Sequence, residues 1–302
     1  MAYLQKDSNS GVFYIILACF FWGTSGTVFT FFSPEDAQPA VIGILRLIVT
    51  VLILAVVVFL QKHPLKLRAW PLPILLATGF LIASMQFCFF TAVDLAGVAL
   101  GTTFFIGSYP IFAGIFAFLI RKERPVNRWW ASTVLAIIGG VLMTLGSVAV
   151  DGDPVGILWA LATAASFALY ATLIKGLLAE HSTISVMAVT SAVGVMFFSP
   201  LLFFYDIHWV VRDFDIVLPL SLYLGVITSI CPLFLFSQGL KLVHVSTAAT
   251  LNLVEPLTAT LLSVFILHEQ LAPQSWFGMA LLIAGVLWLS LPSLLLRRGS
   301  YV

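Results

Sequence analysis

The chain has 302 residues, of which 61% are hydrophobic and only 9% charged, with a formal net charge of +1. A soluble domain carries about 25% charged residues, so this chain cannot cover a water-facing surface, and its solvent must be mostly lipid. Near-neutral charge also excludes the basic patch that a nucleic-acid partner requires.

A membrane-crossing helix needs about 20 mostly apolar residues. Ten such runs follow one another, over residues 12–32, 38–61, 72–92, 98–120, 129–149, 155–175, 183–205, 216–240, 245–267 and 274–295. The pattern predicts an all-α integral membrane protein with ten transmembrane helices. The first run is too long for the apolar core of a signal peptide and no A-x-A site follows it, so it is expected to remain as span one. Short polar or proline-containing stretches part the runs, such as Ser33-Pro34-Glu35-Asp36, His63-Pro64-Leu65-Lys66 and Asp151-Gly152-Asp153-Pro154. None is long enough for a soluble domain.

Basic residues set the direction, because inner loops carry the excess of Lys and Arg. With a cytoplasmic N-terminus, the inner set is Lys6, Lys62, Lys66, Arg68, Arg121, Lys122, Arg124, Arg128, Lys175, Lys241, Arg297 and Arg298, 12 of the 14. Arg212 falls outside and Arg46 within a span. The expected location is the inner (cytoplasmic) membrane, multi-pass, with both termini cytoplasmic. Trp70, Trp129, Trp130, Trp209 and Trp276 sit at span ends, where interface anchoring is expected. Cys19, Cys88 and Cys231 lie far apart in apolar runs without metal or redox spacing; they read as small hydrophobes in helix packing.

The two halves resemble each other. A shift of 146 residues sets Tyr109-Pro110 on Glu255-Pro256, Glu123 on Glu269, Trp130 on Trp276 and Gly139 on Gly285. A shift of 145 sets Gly11 on Gly156 and Trp22 on Phe167. Each half holds five spans, an odd number, so the second must enter the membrane from the opposite side. The loops agree: Arg121-Lys122-Glu123-Arg124 is basic, while its equivalent His268-Glu269-Gln270 has neither Lys nor Arg. The chain is therefore expected to divide into two inverted five-helix repeats, 1–152 and 153–302. Such repeats place a substrate site near the midplane and rock about it.

Phe21-Trp22-Gly23 in span one, Pro110 with Glu123 closing span four, and Leu253-Val254-Glu255-Pro256 leading to Glu269 resemble the EamA-type drug/metabolite transporter superfamily. In detail the chain is most similar to YddG-type exporters of aromatic and other neutral amino acids. The resemblance covers nearly the whole chain. It implies a ten-helix inner-membrane carrier whose spans one, three, four, six, eight and nine line a central cavity. Tyr109 stands where the second repeat has Glu255, so the halves are not chemically equivalent there.

Glu255 lies nine steps into span nine, about 14 Å deep at 1.5 Å per residue. An ionisable group at that depth is costly and marks function by default. It is expected to bind a substrate ammonium, carry a proton or pair with Arg46; the alternative is a carboxyl hydrogen-bonded to a neighbouring helix. Arg46 is expected to act as an ion-pair or hydrogen-bond anchor, the alternative being a clamp for a substrate carboxylate. Pro110 and Pro256 each remove a backbone donor and free an upstream carbonyl, which is tolerated only inside protein or beside a cavity. Trp22, Phe90, Tyr109 and Tyr170 are candidate cavity aromatics. Gln86, Ser237, Gln238 and Asn252 add amides and hydroxyls that either bind substrate or bond between helices.

There is no G-x-x-x-x-G-K-[ST], HExxH, G-x-S-x-G or CxxC, so no ATPase, metalloprotease, serine hydrolase or redox motif competes. No catalytic group, metal or cofactor is expected. The expected partners are an amino acid-like small molecule and the lipid bilayer, with a monomer as the unit. The leading expectation is a secondary transporter that exports small organic solutes by alternating access. An intramembrane enzyme and a channel are the alternatives.

Overall fold

The computed structural model describes residues 8–61, 70–145, 153–266 and 271–295. Lys6, Lys62, Lys66, Arg68, His268, Glu269, Arg297 and Arg298 lie outside the described residues, as do 151–152. The regular structure among the described residues is entirely helical. Helices α1 (Asn9–Phe32) and α2 (Pro39–Leu60) come first. Next are α3 (Leu72–Gly97) and α4 (Leu100–Arg121), then α5 (Asn127–Leu145). The second half holds α6 (Pro154–Glu180), α7 (Thr183–Phe198), α8 (Phe214–Leu240), α9 (Val245–Ile266) and α10 (Pro273–Leu295). A 3-10 segment, Ser199–Phe204, extends α7, and one helical turn, His208–Arg212, precedes α8. Among the described residues nine helices are long and apolar enough to cross a membrane. The exception is α5, which has 19 residues and opens on the polar Asn127 and Arg128.

The helix starts follow from local chemistry. Proline occupies the first turn of α2, α6 and α10 (Pro39, Pro154 and Pro273), where its missing N–H costs nothing. Asp153 caps α6 by accepting from Val155 N at 2.8 Å, and Ser182 caps α7 by accepting from Ser185 N at 3.2 Å. The division between α3 and α4 is made by Gly97 at φ 79°, ψ 160°, a conformation that only glycine takes readily.

Close glycine contacts show how the halves relate. A Cβ on Gly139 of α5 would lie 2.4 Å from Leu282 N and 2.6 Å from Gly278 O of α10. On the repeat-equivalent Gly285 it would lie 2.9 Å from Ala136 N and 2.7 Å from Ser132 O. Ala136 and Ser132 are the equivalents of Leu282 and Gly278 under the same shift of 146. These are reciprocal contacts between equivalent helices, and residue numbers rise on one helix as they fall on the other. Thus α5 and α10 run antiparallel about a pseudo-two-fold axis. The pattern recurs: Gly11 meets Leu242 as Gly156 meets Ala96, and Gly79 of α3 meets Val193 of α7 as Gly225 of α8 meets Val49 of α2.

Three of the five span-end tryptophans do not anchor at an interface. Trp70, Trp129 and Trp209 are buried. Trp129 donates from Nε1 to Ser246 O at 2.9 Å, and Trp70 stacks on His181 with ring centroids 3.9 Å apart. Trp130 and Trp276 are exposed as expected. Indole N–H bonds to Ser246 O and Asp206 O hold Trp129 and Trp209 inward and the ring stack holds Trp70, and span position alone does not reveal such partners.

Candidate functional site

The site begins where α9 breaks. The regular helix is interrupted by a turn at Asn252 and Leu253. Pro256 has no N–H to offer Asn252 O, its partner in a regular helix. That carbonyl instead accepts from Glu255 N at 3.0 Å. Leu251 O, freed in turn, accepts a weak bond from Cys19 Sγ of α1 at 3.6 Å, and the same thiol reaches Asn252 Oδ1 at 3.4 Å. Cys19 and Asn252 are therefore structural partners of the broken turn. In the first repeat α4 stays helical through Pro110.

Gly23 brings α1 onto this break. A Cβ there would meet Thr258 Cβ at 2.7 Å and Glu255 O at 2.9 Å. The backbone contact sets Trp22 into a stack of rings. Trp22 lies 5.4 Å from Phe236 and 6.5 Å from Phe167, and Phe167 stacks on Tyr109 at 4.7 Å. Tyr170 stacks behind Phe167 at 6.3 Å and lies against Thr190. Phe167 is the hub, and sequence reading did not select it. The available signal was its alignment with Trp22 under the repeat.

Across from this wall, Arg46 belongs to the inward stripe of α2. Gly43, Leu47, Thr50 and Leu54 of that stripe are buried, at the i, i+3, i+4 spacing of one helix face. Thr50 Oγ1 donates to Gly225 O of α8 at 3.2 Å, and Arg46 O lies 3.3 Å from the Cβ position of Gly225. Phe90 and the Gln86 amide pack over Gly43, at 3.4 and 3.8 Å from its Cβ position. Just beyond Gly225, α8 widens into a π segment, Val226–Ile230, a distortion often found at functional sites.

Glu255 sits within electrostatic reach of Arg46, Cys19 and Tyr109. It is half-buried, and among the described residues its carboxylate closes no ion pair. Arg46 Nε, the Tyr109 hydroxyl and Ser237 Oγ are buried without a protein partner. Gln238, beside Ser237, is half-buried on α8. The fold thus brings Trp22, Tyr109, Asn252 and Glu255 together and sets Arg46, Gln86 and Phe90 opposite, with Tyr170 one ring behind. No group of three or more metal-ligating side chains occurs among the described residues.

Both ends of the bundle carry closed ion pairs. At the end where α1 begins, Glu123 pairs with Lys175 at 2.7 Å and with Arg121 at 3.2 Å. Its other oxygen accepts from Val245 N at 3.0 Å, capping α9. Lys175 Nζ also donates to Val243 O at 2.6 Å. At the opposite end Arg212 bonds Asp213 at 2.7 Å and Asp36 at 3.0 Å. Hydrogen bonds donated to Asp213 and then to Asp36 hold the Arg212 guanidinium above its ordinary pKa, and the bond accepted from Arg212 holds Asp213 below the usual carboxylate range. This exposed pair contributes above that range and fades as pH falls through the lowered Asp213 pKa.

A bundle of apolar helices with ionisable groups held inside it defines a multi-pass membrane protein. The model of the EamA-like transporter family matches the chain twice, over residues 9–145 and 154–291, and the chain belongs to that family. It is 41% identical over 279 residues to the uncharacterized transporter YwfM of Bacillus subtilis (strain 168), covering 92% of each chain. It is 25% identical over 294 residues to the uncharacterized inner membrane transporter YicL of Salmonella typhimurium, covering 95% of this chain and 97% of that one. A solved crystal structure, 18% identical, aligns with a TM-score of 0.80 over 97% of this chain and 100% of that one; it speaks to the fold alone. The chain is a membrane transporter, and the family and its relatives point away from an enzyme.

Proposed function

We propose that the chain is a ten-span secondary carrier that exports small organic solutes, foremost aromatic and other neutral amino acids, by rocking its two inverted repeats. On this reading α5 is the tenth span and both termini are cytoplasmic, in the inner (cytoplasmic) membrane. The observation that carries the reading is the meeting of Trp22, Tyr109 and Glu255, from α1, α4 and α9, beside a broken helix. Half-helices at the interface of inverted repeats are where such carriers hold their substrates. Stacked rings supply apolar area for a side chain, and a lone carboxylate supplies a counter-charge for an ammonium. Antiparallel equivalence of α5 and α10 supports the inversion that alternating access uses.

The test is counterflow in proteoliposomes across a panel of amino acids and drugs. A carrier accelerates entry of labelled substrate when unlabelled substrate is trapped inside. A channel shows no such trans-stimulation, and an enzyme converts the label. Trans-stimulation by tryptophan or another aromatic amino acid is the expected result. Its absence for the whole amino-acid panel overturns the substrate assignment.

A further inference from the structure

We propose that Arg46 and Glu255 form a two-pole specificity site, Arg46 holding the carboxylate and Glu255 the ammonium of one small zwitterionic molecule. This rests on the carrier reading above and goes beyond it, since that reading gives Arg46 no part in binding.

The first ground is placement. Every other charged side chain among the described residues lies in a connection or within the first or last two turns of a helix. Arg46 and Glu255 lie deeper, on α2 and α9, and each feels the other's charge. The second is that they do not close on each other. Ion pairs elsewhere in this molecule close at 2.7–3.2 Å, whereas Arg46 and Glu255 form none. Opposite charges in a poorly screened interior attract strongly, so the backbones that carry them must hold them apart. The third is direction. The Gly43–Arg46–Thr50 stripe faces α3 and α8, not lipid, and Arg46 Nε is buried with no protein partner. A guanidinium snorkelling to the membrane surface would have its nitrogens in water.

Chemical class follows from charge balance. The two poles sum to zero, so a molecule bearing one carboxylate and one ammonium satisfies both. An amine alone leaves Arg46 desolvated and unpaired, and an acid alone leaves Glu255 so. Stranding one member of a buried charge pair costs at least about 30-fold in binding. The rings of Trp22, Phe167 and Tyr109 stand beside the Glu255 pole, where they can take an apolar side chain.

Three probes share one indole ring: tryptophan has both charges, tryptamine only the ammonium, and 3-indolepropionate only the carboxylate. In counterflow the parent protein should exchange tryptophan at least about 30-fold better than either truncated probe. Arg46→Gln should lose tryptophan exchange and the discrimination against tryptamine together, while keeping discrimination against 3-indolepropionate. Glu255→Gln should do the reverse, and Arg46→Lys should retain the parent's preference. Parent exchange of tryptophan with equal exchange of tryptamine or 3-indolepropionate overturns the two-pole site and leaves the carrier reading intact. Equal losses for all probes in both Gln variants do the same. No exchange of any amino acid overturns the substrate reading and this inference with it. Because the parent panel needs no variant, the test stands even if a Gln variant fails to fold.

Discussion

Glu255 owes its setting to its neighbour. Pro256 cannot donate to Asn252 O, the turn opens, and the carboxylate is carried on a segment that packs on α1 through Gly23. A carboxylate so placed is suited to moving a proton as well as to binding an ammonium. Gln preserves its shape but cannot titrate. Glu255→Gln is therefore expected to leave folding intact and to flatten the pH dependence of whatever transport remains, measured as uptake against pH in proteoliposomes. Overlapping pH profiles for parent and variant would remove the proton role while leaving the binding role to the probe panel. Glu255 was legible as a site residue because charge inside an apolar run stands out. Phe167 was not, because one more ring among 26 phenylalanines carries no signal until the fold places it between Trp22 and Tyr109.

Helix against helix, the tightest contacts are made by glycine. Gly139 lets α5 lie on the backbone of α10, and an added methyl would fall 2.4 Å from Leu282 N. Backbone cannot step aside as a flexible side chain can. Gly139→Ala is expected to destabilise the fold by about 1–3 kcal/mol, read as a lower unfolding midpoint in detergent. An unchanged midpoint would mean that the α5–α10 contact is looser than described. Another element-level tie is Glu123, whose carboxylate joins the end of α4 to α6 and to the first N–H of α9. Lys175 is 5% exposed, so neutralising Glu123 takes a carboxylate from a buried ammonium, at a cost of about 3 kcal/mol. Glu123→Gln should lower stability by that amount, and adding Lys175→Met should recover most of it. Failure of the double variant to recover would show that the bond to Val245, not the ion pair, carries the stability. Sequence reading assigned Glu123 to the repeat pattern and the family resemblance. Apart from Arg121, its partners come from α6 and the start of α9, 52 and 122 positions away in the chain, and nothing in its own segment names those two.

Over the whole molecule, the distribution of charge and the antiparallel relation of the repeats support the orientation proposed above. Arg121, Lys122, Arg124, Lys175 and Lys241 gather at the end where α1 begins, while Asp36, Asp206, Arg212 and Asp213 mark the other. Cysteines introduced in 206–215 are expected to react with an impermeant reagent from outside intact cells, and cysteines in 121–128 to be protected until the cells are opened. Reversal of either set would overturn the proposed topology, and with it the even span count that puts both termini on one side. The count depends on α5: the run 129–149 reads as a span in the sequence, while its described part, Asn127–Leu145, is not among the nine helices long and apolar enough to cross.

The sequence by itself determined the solvent, the helical class, the placing of the main apolar runs and the duplication. Each depends on composition or on local spacing, and lipid leaves no alternative to helices that satisfy their own backbone. It also exposed Arg46 and Glu255, since charge in an apolar run is costly wherever the run goes. Only the tertiary structure decided which tryptophans turn inward, which carbonyls the broken turn releases and what takes them up. The same holds for Arg46 and Glu255 lying within electrostatic reach of each other without forming an ion pair. Those outcomes hang on distances between segments that are far apart in the chain. Such distances are set by how closely glycine-bearing helices approach, a property of the packed bundle and not of any one stretch of residues.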